Sequence, residues 1–155
     1  MWAASFGRFV YIAQWWAAVV LPVFVWIGRV LVGGYAGWIA VLGVLYLPLF
    51  VAALLVPPIL TLFDRGVKPG RVARLGYSVA SALLWVGILV LGAALPDAAD
   101  APGGGSALMT WTGMSLETSI AILTGASYLS LAAYIAVLAL AVAGIARGRL
   151  IAPAT

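Results

Sequence analysis

The sequence contains no cysteine and no histidine. That removes disulfides, thiol chemistry, Cys-ligated metal centres and His-ligated haem. It also removes any Ser-His or Cys-His catalytic pair. Charge is scarce too, with Lys, Arg, Asp and Glu together only 8% of 155 residues. Soluble domains carry roughly 25% charged residues, so this chain has too little polar side chain to coat a water-facing globule. Hydrophobic residues make up 66% of it, and its mean hydropathy is +1.20. The solvent that suits such a surface is lipid. The chain reads as an integral membrane protein.

Its net charge of +4 is no nucleic-acid signature, because the basic residues sit in short loops between apolar runs and form no patch. The excess of Arg over Lys, with abundant Ala, Val, Leu and Gly, points to a bacterial source. The densest polar stretch is residues 64–74, DRGVKPGRVAR, which holds four of the eight basic residues. It divides the chain into two hydrophobic hairpins.

Four runs are long enough to cross roughly 30 Å of hydrocarbon at 1.5 Å per residue. They cover about 9–28, 37–63, 72–95 and 118–146. The expected fold is all-α, a single transmembrane domain of four helices in a compact bundle. The first run exceeds the usual secretory h-region and is rich in Trp, so a retained helix is favoured over a cleaved leader. Pro22 lies inside it and predicts a kink. Pro57-Pro58 predicts a break or sharp bend near the end of the second helix. A cytoplasmic loop is expected at 64–71 and an outer Gly-rich loop at 96–117, mobile over 97–105. Ser115 and Thr118 offer capping hydroxyls to the last helix.

Lys and Arg are held on the cytoplasmic side. With four crossings, Arg8, Arg65, Lys68, Arg71, Arg74, Arg147 and Arg149 share one face, and only Arg29 lies on the other. Both termini are therefore expected in the cytoplasm and the protein in the bacterial cytoplasmic (inner) membrane. Arg65, Lys68, Arg71 and Arg74 are candidate contacts for anionic lipid.

Intramembrane ionisable groups are the usual mark of a functional site in a membrane protein. None falls near the middle of a run. Gln14 is the most polar side chain within one, read as a hydrogen bond to a neighbouring helix. Arg29 is read as a tie to Glu117, Asp97 or Asp100, while Asp97 and Asp100 are otherwise read as solvated loop charges. The last helix carries Ala121, Gly125, Tyr128, Ala132, Ala136, Ala139 and Ala143 at steps of three and four. Such a face lets another backbone approach closely. It is read first as the bundle's own seam, and second as a docking face for a partner.

No catalytic, metal or cofactor residue is expected. The leading functional expectation is a non-enzymatic accessory or structural subunit, acting by intramembrane helix packing with itself or a larger complex. One alternative is a homo-oligomeric channel or carrier for a neutral solute, lined by Gln14, Ser78, Ser81, Thr124 and Ser127. Another is a membrane-permeabilising protein, since a small hydrophobic chain with a basic tail resembles phage holins.

Overall fold

The computed structural model describes residues 2–67, 70–97 and 105–150, apart from the side chains of 149 and 150. Among these residues, four helices have the length and apolarity to span a membrane: α1 (Trp2–Leu31), α2 (Trp38–Thr61), α3 (Leu75–Ala94) and α5. The last of these, α5 (Leu116–Leu150), is preceded by the short outer helix α4 (Ala107–Thr112). There is no strand among the described residues. The protein is an all-α polytopic bundle, as its composition dictates.

The most enclosed helix is α3. It buries Tyr77, Ser78, Ala80, Ser81, Leu84, Gly87 and Ile88, packed between α1 and α5. Small residues at 80, 81 and 87 let the neighbouring backbones close in. The opposite case is α2, which buries only Gly43, Leu54, Pro57, Pro58 and Thr61 and leaves most of its apolar surface to lipid. Without a solvent contrast between lipid and Leu, α2 is held by specific contacts. One is Gly43, where the Trp26 indole occupies the space a side chain would need.

Helix α1 departs from regular geometry where Pro22 predicts it. A five-residue π turn, Phe24–Gly28, begins two residues later, and the helix then continues to Leu31. The other proline expectation is a break or sharp bend, and the break does not occur: α2 continues through Pro57 and Pro58 to Thr61. A proline at 57 removes the amide that would bond the Ala53 carbonyl one turn earlier. The Tyr134 hydroxyl of α5 donates to that carbonyl at 2.7 Å. The Thr61 hydroxyl donates back to the Pro58 carbonyl at 2.7 Å and seals the last turn. A neighbouring helix thus supplies what the proline removes, as membrane helices allow.

This yields a double-mutant prediction. Tyr134→Phe should cost about 0.6–1.7 kcal/mol, the range for interhelical hydrogen bonds in lipid. In a Pro57→Ala background the carbonyl regains its own amide and that cost should shrink. Denaturation of the four proteins in SDS–detergent mixtures reads the coupling directly.

Candidate functional site

Each end of the bundle carries an Arg–Asp pair, fully buried at one end and partly exposed through Arg74 at the other. At the end holding the α1–α2 turn, Arg29 is completely buried and its Nη2 donates to Asp97 Oδ2 at 2.6 Å. Its Nη1 donates to the Leu95 carbonyl at 2.8 Å, just past the C-terminus of α3. Asp97 also accepts the amides of Gly37, Ile39 and Ala40 at 2.8–3.0 Å. Those are the orphan donors of the first turn of α2, whose N-cap residue is Gly37 and has no side chain to satisfy them. A carboxylate at a helix N-terminus and a guanidinium at a C-terminus each face the favourable end of a dipole. One ion pair therefore locks α1, α2 and α3 together.

Asp97 is thus not a solvated loop charge. Its position right after Pro96 delivers it to the unsatisfied start of α2. Of the three partners weighed for Arg29, the structure selects Asp97. Asp100 lies outside the described residues, and Glu117 is exposed in the first turn of α5.

At the other end, Asp64 follows α2 and Arg74 precedes α3. Arg74 Nε donates to Asp64 Oδ2 at 2.9 Å and its Nη2 to Oδ1 at 3.2 Å, a two-pronged pair. Gly66 N donates to Oδ1 at 2.8 Å, and Arg74 Nη2 also reaches the Gly144 carbonyl of α5 at 3.5 Å. Gly144 and Gly148 lie against this cluster. A side chain at 144 would collide with Asp64 Oδ2.

Burial pushes both carboxyls toward higher pKa, but the hydrogen bonds outweigh it. For Asp64 these come from Arg74 and Gly66, and for Asp97 from the amides of Ile39, Gly37 and Ala40 and from Arg29. Both therefore sit below the usual 3.8. A carboxyl with a lower pKa folded than unfolded contributes stability above its unfolded value and loses it as pH falls through the folded one. The melting temperature in detergent should hold steady down to about pH 5 and fall below about pH 4. In Asp97→Asn that acid-dependent fall should be smaller.

Between the two clamps lies one polar cluster. Gln14 of α1 donates to the Tyr11 carbonyl at 3.1 Å and to Thr61 Oγ1 of α2 at 3.3 Å. The Tyr77 hydroxyl of α3 donates to Gln14 Oε1 at 2.7 Å. Gln14 is an interhelical tie, as its place in the sequence implies. Beside it, Ser81, Trp85, Pro57 and Pro58 line a cavity of ≈ 20 Å³, room for one water. Thr124 and Ser127 lie far from this cluster in function. Both are exposed, and each bonds a carbonyl one turn back on its own helix, at Ile120 and Leu123. One copy of the chain does not bring the five candidate pore residues together.

Near Arg29, the Ser119 hydroxyl donates to the Ala94 carbonyl at 2.8 Å, so Ser106 donates to Ser119 at 2.7 Å. Ser106 also caps α4 through Met109 N. Thr110 and Trp111 bond the carbonyls of Gly33 and Val32, pinning α4 over the α1–α2 turn. Ser115 caps α5 through Thr118 N, as expected.

The stripe on α5 is where the first reading fails. The residues that α5 buries are Ser119, Ala126, Ser130, Ala133, Val137, Ala141, Gly144 and Gly148. Ala121, Gly125, Tyr128, Ala132 and Ala139 are exposed, and Ala136 and Ala143 half-buried. At 3.6 residues per turn the two sets lie on nearly opposite faces. The bundle's seam is the other one, and the Gly125 stripe faces outward. Nothing lies within 4 Å of the space above Gly125, and Tyr128 is 71% exposed.

Of the lipid candidates, Arg74 is taken up by Asp64, Arg65 and Arg71 are exposed, and Lys68 lies outside the described residues. The fold defines a polytopic α-helical membrane protein whose paired charges are structural. No known protein family matches the chain, and no curated protein or solved structure is significantly similar to it.

Proposed function

We propose that this chain is a non-enzymatic accessory or structural subunit that packs against another transmembrane helix through the outward face of α5. That helix belongs to a second copy or to a larger membrane complex. The observation that carries this reading is the exposure of Ala121, Gly125, Tyr128, Ala132 and Ala139, with Ala136 and Ala143 half-buried at their flank, while a separate seam already serves the bundle. Small residues in lipid gain nothing over Leu unless a backbone comes close. The internal use of Arg29, Asp97, Asp64, Arg74 and Gln14 supports a scaffold in preference to a carrier. We place the protein in a bacterial cytoplasmic membrane. Arg8, Arg65, Arg71, Arg74 and Arg147 at one end support cytoplasmic termini by the positive-inside rule.

The test is co-purification in mild detergent of the wild type and of Gly125→Leu/Ala132→Leu. The substitutions should leave the melting temperature unchanged and release a stoichiometric partner, whether another chain or a second copy. Retention of the partner by the double variant refutes the assignment of this face.

A further inference from the structure

A second feature, independent of the α5 face, lies on α1. Arg8, Tyr11, Ile12, Trp15 and Trp16 follow one another at steps of three and one, so they form a single stripe down the helix. Gly70 and Arg71 flank it, and the open groove between them measures ≈ 490 Å³. The amide of Ala73 donates to the Gly7 carbonyl at 3.1 Å, which fixes Arg8 at the level where α3 begins. Trp16 lies about 12 Å deeper along the helix. The cleft therefore grades from two guanidiniums at the membrane's edge to two indoles within it.

Arg71 has φ of 50°, in the left-handed region that non-glycine residues seldom occupy, and its amide is held by the Val67 carbonyl at 2.9 Å. Such backbone strain gathers at ligand clamps. Neither Arg8 nor Arg71 has a carboxylate partner among the described residues. Asp64 is committed to Arg74, Asp97 to Arg29, and Glu117 sits at the far end.

We propose that this cleft binds one anionic phospholipid. Its phosphodiester bridges the Arg8 and Arg71 guanidiniums, which suit phosphate oxygens. Its glycerol and upper acyl segment lie against Tyr11, Ile12, Trp15 and Trp16, where aromatic rings prefer the interface. Only a ligand with both a phosphate and a hydrocarbon chain fills both halves of the cleft. A free phosphate meets the arginines and leaves the indoles bare. Of the described basic residues that the sequence offers to lipid, Arg71 lines the cleft, and Arg8 joins it.

The experiment reconstitutes the full chain in phosphatidylcholine nanodiscs containing a minor fraction of brominated phosphatidylglycerol, and reads tryptophan quenching. Brominated phosphatidylglycerol should quench more than the same fraction of brominated phosphatidylcholine, and Trp15→Phe/Trp16→Phe should remove the difference. Arg8→Gln should weaken the preference about fivefold, equivalent to ~1 kcal/mol per basic residue. Arg71→Gly should do the same while melting no lower than wild type, because glycine suits the positive φ. Arg65→Gln, outside the cleft, should keep the preference. Equal quenching by the two lipids overturns the proposal, and so does an equal loss in Arg65→Gln, which means diffuse attraction. Relief of quenching by soluble glycerol phosphate overturns it in favour of a free phosphate ester.

Discussion

Asp97→Asn should be among the most damaging single substitutions in this chain, costing about 3–5 kcal/mol. The change is nearly isosteric, so the cost is electrostatic. It leaves the Arg29 guanidinium fully buried without a counter-charge, facing the Leu95 carbonyl and a neutral amide. Removing one partner of a buried pair strands the other charge, and that dominates. Against a total stability of about 5–15 kcal/mol, this is a large fraction. Arg29→Met should be milder, because Asp97 keeps three amide donors at the start of α2. We expect about 1–3 kcal/mol, the scale of a lost charged hydrogen bond. The double variant Arg29→Met/Asp97→Asn should fall short of the sum. Melting curves in detergent, followed by circular dichroism, rank the three. An Asp97→Asn protein as stable as wild type means the pair is solvated and the clamp is wrong.

Gly144→Leu should be the second large effect, about 1–3 kcal/mol from overpacking. A side chain there drives into Asp64 and separates it from Arg74. The same substitution at Gly125, on the same helix with open space above it, should stay within about 0.5 kcal/mol. In an Asp64→Ala background the Gly144→Leu penalty should shrink, since the colliding carboxylate is gone. A Gly125→Leu protein that melts well below wild type, with Gly144→Leu unaffected, reverses the face assignment of α5.

The four spans were legible because apolar runs of this length have one use. Gln14 was legible for a similar reason: an amide inside a helix must find a partner. Asp97 was misread because its neighbours, Pro, Gly, Ala and Asp, have loop composition. The signal for its role lay elsewhere, in the start of α2. Gly37 offers no capping side chain, so an acceptor had to come from another part of the chain. The stripe on α5 was found but assigned to the wrong side. In an Ala-rich helix small residues recur on more than one face. What distinguished the true seam was Gly144 and Gly148, which sit where Asp64 and Arg65 come close. Pro57-Pro58 read as a break or sharp bend because only the chain itself was considered. The compensating donor, Tyr134, is 81 residues from the carbonyl it satisfies.

The claim that the outward face of α5 meets another helix is tested most directly by photo-crosslinking in intact membranes. A photoreactive residue replaces, one at a time, Gly125, Ala132 and Ala139 on the outward face, and Ala126 and Ala133 in the seam. The account predicts discrete protein adducts of one mass from the outward positions and none from the seam. Adducts to lipid alone at all three outward positions would contradict it, and would leave that face as ordinary membrane-facing surface.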